Sequence, residues 1–229
     1  MNVRAYSISS TGPSPLVDAL RLCALLVIAL FGGSPLAAQS VPACVDVFPA
    51  ATTANAQPPN VLDLPPFPSP NDGALSLGNN DSVALGPDDF YFTEIETQNN
   101  PTLTVSPTTR IFVQGSITLG NGAQINAGGA PEDLLIFVNG SVNIGNNVEM
   151  NAILYAEGAI SLGNNADFVG AITARGAVSI GNTAPIYDRS AIENADFGDL
   201  CNNGPGEPPD LFLEYRMEQS SWTGAAGEV

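Results

Sequence analysis

Apolar and polar residues alternate along residues 110–186, and one alternating unit occurs there four times. The four copies are SITLGNG, SVNIGNN, AISLGNN and AVSIGNT, and they begin at Ser116, Ser141, Ala159 and Ala177. The first interval contains a seven-residue insertion, AGGAPED, whereas the last two are both 18 residues long (141 to 159 and 159 to 177). Alternation with a period of two predicts β-strands, and a fixed spacing of this length indicates structural units that stack on one another.

Each copy supplies three pairs of inward-facing apolar residues. One pair precedes a leading Gly, the second follows that Gly, and the third follows a Gly-Asn dipeptide. In the third copy the pairs are Leu154/Ala156, Ile160/Leu162 and Ala166/Phe168. Three short strands per repeat predict an all-β, single-stranded, three-sided β-solenoid with coils of about 18 residues and like side chains stacked in ladders. A right-handed β-helix is preferred, and the left-handed form is the alternative.

The Gly-Asn dipeptides mark one corner of every coil. Gly tolerates positive φ, and Asn is the next most tolerant residue, so the dipeptide predicts a bend. Stacked Asn amides can also pair along the solenoid axis. The alternative is an Asn array that binds a sugar or an ion. The predicted structural corners are Gly120, Asn121, Gly145, Asn146, Gly163, Asn164, Gly181 and Asn182.

The segments around the four repeats have their own predictions. Residues 72–85, DGALSLGNNDSVAL, predict one further coil. Residues 86–109 are expected to leave the solenoid, with residues 86–105 covering an outward aromatic ladder. This excursion and residues 187–200 are expected to cap the open ends, because uncovered strand edges pair with other chains. The ladder consists of Phe112, Phe137 and Tyr155.

Residues 1–40 have the pattern of a secretory signal peptide. The stretch LCALLVIALFGG supplies the apolar core, and small residues follow it, so cleavage is expected between Ala38 and Val41. The apolar stretch is too short for a comfortable membrane span, so no span is expected after the signal is removed. The predicted solenoid domain then covers residues 41–203.

Two cysteines remain in the predicted mature chain, Cys44 and Cys201, and they bracket the repeats. In an oxidising compartment this arrangement predicts one disulfide that ties the two ends together. Two free thiols or an intermolecular bridge are the alternatives.

The C-terminal residues differ in composition from the repeats. Residues 204–210, GPGEPPD, predict a linker. Residues 211–229 begin with LFLEYRM, which alternates like an opening strand, and nineteen residues are too few for a domain. They predict the truncated start of a second domain; a terminal strand packed on the solenoid is the alternative.

The charge and the absence of His limit the chemistry. The chain has 23 acidic and six basic residues, no His and a net charge of −17, which disfavours nucleic acid and anionic membranes as partners. His-dependent triads and His-containing metal sites are excluded. The acidic residues are expected to form a soluble exterior that resists aggregation. Weak Ca²⁺ binding in loops such as Pro87-Asp88-Asp89 is the alternative, but no motif has the ligand spacing of a Ca²⁺ loop. We expect no cofactor and no metal site.

A polysaccharide lyase or hydrolase on a right-handed solenoid is the enzyme alternative. Such enzymes need carboxylates clustered on one face. Glu149, Glu157 and Asp167 are assigned to unrelated positions of successive coils, and Arg175 lies one coil beyond Glu157 as an ion-pair partner. We therefore expect no catalytic residues. Binding of ice or another regular lattice is a further structural possibility, but the relevant ladder, Thr118, Asn143, Ser161 and Ser179, is mixed.

The order of these features carries a resemblance. A signal peptide, a Cys-bounded solenoid with Gly-Asn corners, a Pro/Gly linker and the start LEYRMEQSSWTGAAGEV together resemble the MshQ-type proteins of mannose-sensitive haemagglutinin (MSHA) pilus biogenesis. The last stretch is similar to the opening strand of a concanavalin A/laminin-G-like jelly roll. The repeats also look like the polymer-forming β-solenoids of the bactofilin type.

The resemblance implies a non-enzymatic structural or adhesive module, linked to MSHA-type pilus biogenesis or surface attachment. It implies a secreted protein in the periplasm or on the outer surface of a Gram-negative bacterium. Pilus components, cell-surface components or glycans are the implied partners.

Overall fold

The computed structural model describes residues 41–202. The predicted signal peptide (1–40), linker and second-domain start (204–229) lie outside the described residues. The described part contains two short helices, α1 (Cys44–Val47) and α2 (Arg189–Asn194), one 3-10 turn (Pro131–Asp133) and fifteen strands. The strands are β1 (Thr52–Thr53), β2 (Gly73–Leu77), β3 (Ser82–Leu85), β4 (Asp89–Thr97), β5 (Thr102–Val105), β6 (Thr109–Val113), β7 (Ile117–Leu119), β8 (Gln124–Ile125), β9 (Leu134–Val138), β10 (Val142–Ile144), β11 (Glu149–Ala156), β12 (Ile160–Leu162), β13 (Asp167–Ala174), β14 (Val178–Ile180) and β15 (Ile186–Tyr187).

These strands stack in three parallel ladders, which define three faces. Face A holds the strands that precede the leading Gly, face B those that follow it, and face C those that follow Gly-Asn. Register is kept from coil to coil: on face B, Asn143 lies between Thr118 and Ser161. The predicted all-β solenoid is confirmed, with about six turns and very little helix. Its handedness stays a prediction.

The core is a column of inward-facing apolar side chains. On face B, Ile117, Val142 and Ile160 stack with 4%, 2% and 0% of their surface exposed. Full burial of such a side chain contributes about 1.5–3 kcal/mol. Each coil repeats the same three pairs, so the column runs through the solenoid. The inward side chains of each coil pack mainly against those of the neighbouring coils.

The prediction that residues 86–109 leave the solenoid is wrong. β4 and β5 form a full coil, with Phe92, Ile95 and Leu103 buried in the core. The sequence does not reveal this coil because it lacks the two glycines that mark the others. Thr93 lies below the leading Gly115 of the next coil, and Gln98 lies below Gly120 of its Gly-Asn dipeptide. Two coils, not one, therefore precede the four repeats.

The aromatic ladder on the outside of face A is covered, but not by residues 86–105. Tyr91 of β4 is part of the ladder itself: its ring lies 4.9 Å from that of Phe112, which lies 5.1 Å from that of Phe137. The cover consists of residues 41–70, here called the strap, and residues 189–201. Phe48 and Phe197 contribute its largest buried side chains.

Residues 187–200 do not cap an end of the solenoid. Their helix, α2, packs over face A, with Ala191 and Ile192 fully buried against the outward side chains of that face. α2 packs there because the outward side chains of face A are apolar and become buried beneath it, whereas the outward side chains of face B are polar.

The disulfide between Cys44 and Cys201 is formed, with a sulfur–sulfur distance of 2.07 Å. It connects α1, at the start of the strap, to the end of the C-terminal cover. The adjacent backbone also pairs, since Cys44 N donates to Asn202 O at 3.0 Å. The two segments that cover face A are thus tied to each other as well as to the ladder below them.

Candidate functional surfaces

The corner ladder uses its amide groups internally. The backbone N–H of Asn146 donates to Oδ1 of Asn121 at 2.8 Å, and the same bond joins Asn164 to Asn146 at 2.8 Å and Asn182 to Asn164 at 2.9 Å. The ladder continues downward through Asn99 to Asn79. Because these oxygens already accept hydrogen bonds, the geometry favours the structural corner over a ligand-binding Asn array.

The structure gives a different reason for the corner glycines than positive φ. The positive φ lies on the residue after three of the four dipeptides, with 69° at Gly122, 55° at Asn147 and 54° at Asn165. The glycines of the dipeptides are needed for close stacking instead. A Cβ on Gly145 would lie 2.8 Å from the carbonyl carbon of Gly120, and Gly163 and Gly181 are packed as closely on the coil below.

Face B is an open surface of the solenoid. Its outward ladder is Thr118, Asn143, Ser161 and Ser179, and a shallow groove of about 350 Å³ runs along it. Ser161 donates to Oδ1 of Asn143 at 2.8 Å, so the ladder is in part bonded to itself. The surface offers hydroxyl and amide groups at the rung spacing of about 4.8 Å.

Face C brings two carboxylates together. Glu149 and Asp167 are direct partners on neighbouring coils, so the assignment of these two residues to unrelated positions was wrong. Their own sequence positions give the signal: each lies between the two apolar residues that follow Gly-Asn. Gln124 occupies the same place one coil below. Asp167 is exposed and Glu149 is half-buried.

Glu157 is separate from that pair. Its Oε2 accepts a hydrogen bond from Arg175 at 2.7 Å, which is the predicted ion pair, and its Oε1 accepts one from the Tyr155 hydroxyl at 3.0 Å. Burial raises the pKa of that hydroxyl well above its usual value, and the Glu157 charge adds to the effect. Tyr155 therefore stays protonated and acts as a structural donor and acceptor, since it also accepts from Leu62 N at 3.3 Å.

The loop proposed as a Ca²⁺ alternative is used for an ion pair. Asp89 forms a two-pronged contact with Arg110, at 2.6 Å from Nε and 3.1 Å from Nη2. This hydrogen bonding raises the pKa of Arg110. Arg110 also lies 3.6 Å from Asp196, so it ties the C-terminal cover to the solenoid. Across residues 41–202 there is no group of three or more His, Cys, Asp or Glu side chains placed to hold a metal ion.

Comparison with known proteins adds one similarity. Residues 71–183 match a family described as Domain of unknown function (DUF8470), and that description names no activity, ligand or pilus. The match covers the coils from β2 to β14. No curated protein and no solved structure matches the chain. None of the helices in the described part is long and apolar enough to span a membrane.

Proposed function

We propose that the protein is a non-enzymatic structural or adhesive module of the cell surface, linked to MSHA-type pilus biogenesis or surface attachment. Its proposed location is the periplasm or outer surface of a Gram-negative bacterium. Pilus components, other cell-surface components or glycans are its proposed partners. The net charge of −17 disfavours nucleic acid and anionic membranes.

The observation that carries the proposal is the difference between the faces. Face A is buried under two segments joined by a disulfide, whereas face B presents a straight ladder of small, uncharged polar groups in an open groove. Such a regular surface suits contact through shape and repeated hydrogen bonds with an extended partner. The disulfide supports export, because disulfides persist in oxidising compartments.

Binding to surfaces tests this proposal. The purified protein is measured for binding to cells, isolated pili and a panel of neutral and acidic polysaccharides. A double variant, Thr118→Arg with Asn143→Arg, places two bulky charges on exposed positions of face B and is expected to reduce binding at least tenfold. The matched control, Gln124→Arg, places a charge on face C and is expected to bind like the unchanged protein. Binding to none of these surfaces, or equal loss in both variants, would contradict an adhesive face B.

One observation favours an enzyme as the second candidate. Glu149 and Asp167 are register partners on adjacent coils of face C, so this face carries a pair of neighbouring carboxylates, which is the residue type that glycosidases use in pairs. Incubation with polysaccharides, with and without Ca²⁺, tests for turnover. Release of reducing or unsaturated sugars that is abolished in both Glu149→Gln and Asp167→Asn would refute the non-enzymatic proposal.

A further inference from the structure

The groove of face B ends above two carboxylates. Its outward lining residues form two columns that rise from Ser116 and Thr118 through three further coils, and every member is an uncharged Ser, Thr, Asn or Ala. One coil below the groove, the same two columns continue as Glu94, under Ser116, and Glu96, under Thr118. Face B is therefore a neutral polar groove with a negatively charged lower end.

The two carboxylates are free and point away from the core. Glu94 and Glu96 flank Ile95, which is 5% exposed. Because successive side chains of a strand point to opposite faces, both glutamates point outward, and both are exposed. No described residue forms a hydrogen bond or an ion pair with either carboxylate. Two like charges on one side of one strand repel each other, so a bound cation would stabilise the pair.

The described part of the chain has no spare cation to pair with these glutamates. The sequence contains no Lys. Each of the three arginines within residues 41–202 already pairs with another carboxylate, Arg110 with Asp89, Arg175 with Glu157 and Arg189 with Glu193. A positively charged group on a partner would therefore meet no competing cation at the lower end of the groove.

The groove itself suits a sugar chain better than a peptide. Its lining comes from four successive coils, so it runs along the solenoid axis and presents polar groups at a spacing of about 4.8 Å. An extended peptide advances by about 3.2–3.4 Å per residue and does not keep step with these rungs. The backbone of face B is already paired between coils, as Val142 N with Ala159 O at 2.9 Å, so the face offers side chains rather than a strand edge.

The hydroxyl groups of the groove can serve a sugar directly. Ser161 donates to Asn143, whereas the hydroxyls of Thr118 and Ser179 have no hydrogen-bond partner among the described residues. A hydroxyl can both donate and accept, and so can each hydroxyl of a sugar ring. A linear chain that combines sugar hydroxyls with protonated amines would match both the neutral groove and its acidic end.

We propose that face B binds a linear polysaccharide of amino sugars along its groove, with a protonated amine held between Glu94 and Glu96. The inference rests on the attachment through face B proposed above and names the class of partner. It separates this partner from neutral polysaccharides, which lack the charge, and from acidic ones, which the two glutamates repel.

The choice of ligands tests the sugar and the charge separately. Calorimetric titration of the full purified protein uses an oligomer of glucosamine, its N-acetylated counterpart and an oligomer of lysine of similar length, at a mildly acidic pH that keeps the amines protonated. The glucosamine oligomer is expected to bind at least tenfold more tightly than either of the others. Its affinity is expected to fall as salt is raised, because the two carboxylates are exposed.

Three double variants locate the contact. Glu94→Gln with Glu96→Gln keeps the side-chain size and is expected to weaken binding of the glucosamine oligomer at least tenfold. The matched control, Asp46→Asn with Asp63→Asn, removes the same charge from exposed positions of the strap and is expected to bind like the unchanged protein. The face B variant Thr118→Arg with Asn143→Arg keeps both glutamates but obstructs the groove, and it is expected to lose the oligomer as well. Thermal unfolding checks that each variant is folded.

The outcomes distinguish this inference from the attachment role. Equal affinity for the two sugar oligomers, or a glutamate variant that binds normally, would overturn the amino-sugar partner and leave attachment through face B intact. Equal or tighter binding of the lysine oligomer would also overturn it, because charge alone would then explain the contact. Binding to cells or pili through face B without binding of either sugar oligomer would refute only this inference, whereas binding to none of them would refute both.

Discussion

The Thr173 hydroxyl donates a 2.7 Å hydrogen bond to the backbone carbonyl of Val47, which lies 126 residues earlier in the chain. Both residues are fully buried. Thr173 belongs to the outward column in which the coils below carry Phe137 and Tyr155, and Thr53 of β1 is its register partner on the other side. The outward column changes from aromatic rings to the Thr173 hydroxyl at the coil where the buried Val47 carbonyl of the strap requires a hydrogen-bond donor.

This bond predicts a specific loss of stability. Thr173→Val keeps the volume but removes the donor, leaving the Val47 carbonyl buried without a partner, and is expected to lower the free energy of unfolding by about 1–3 kcal/mol. Thr118→Val, on the exposed ladder of face B, is the control and is expected to stay within about 0.5 kcal/mol. Urea unfolding measures both; equal midpoints would contradict the assigned bond.

The repeats themselves were predictable from the sequence because each coil repeats one local pattern. The three inward pairs, the stacked corners and the partnership of Glu157 with Arg175 follow from aligning the copies. The coil of β4 and β5 was not found, because Thr93 and Gln98 replace the glycines that mark the others. The apolar residues from Phe90 to Ile95 indicate a strand, but such a strand can lie either alongside the solenoid or within one of its coils.

What covers face A could not be derived from periodicity. The strap and the C-terminal cover have no repeat, and their positions depend on contacts over more than a hundred residues, such as those of Thr173 with Val47 and Tyr187 with Phe48. The outward aromatic column gave a signal that some cover exists. The cysteines at both ends of the repeats were the available signal for which segments provide it.

The disulfide is expected to hold the two parts of the cover together. Mass spectrometry of the unreduced protein should find one peptide pair that links Cys44 to Cys201. Replacing both with Ala is expected to lower the free energy of unfolding by 2–5 kcal/mol, with about 5 kcal/mol the chain-entropy figure for a loop closed over 157 positions. Two thiols that react with an alkylating agent in the native, unreduced protein would contradict the bond.

The assignment of inward and outward positions can be tested within one ladder region. Leu162 is 4% exposed, so Leu162→Asp puts a carboxylate into the apolar column and is expected to cost several kcal/mol or to force the group to stay protonated. Asn143→Ser changes an exposed residue of face B and is expected to be nearly silent. Thermal unfolding compares the two, and similar shifts in midpoint would show that the assignment is wrong.

The N-cap of α2 predicts a dependence on pH. The Asp188 carboxylate accepts hydrogen bonds from the Ser190 hydroxyl at 2.6 Å and from the Ala191 N–H at 3.1 Å. These bonds lower the pKa of Asp188 below its ordinary value of 3.8. A lowered folded-state pKa gives stability that is present above the unfolded value and is lost as the pH falls through the folded value.

Asp188→Ala is therefore expected to cost about 0.5–1 kcal/mol at pH 7, as other lost caps do, and the difference from the unchanged protein should shrink below about pH 4. Asp63→Ala, at an exposed position, is the control and should change stability little at either pH. Denaturant midpoints at pH 7 and pH 3 decide the matter; a difference that grows on acidification would contradict the cap.

The glycine column between faces A and B predicts that adding one methyl group destabilises the fold. Gly158 stacks on Gly140, and its N–H donates to the Gly140 carbonyl at 3.0 Å. A Cβ on Gly158 would lie 2.6 Å from that carbonyl oxygen, which belongs to the backbone of the next coil and cannot rotate away. Gly158→Ala is expected to lower the free energy of unfolding by about 1–3 kcal/mol, the usual range for overpacking, because it pushes two coils apart.

Gly86→Ala is the matched control, because a Cβ there meets nothing within 4 Å and the residue has no positive φ. It should be neutral or slightly stabilising, and a Gly158→Ala variant equally stable in urea would mean that the coils are not stacked this closely.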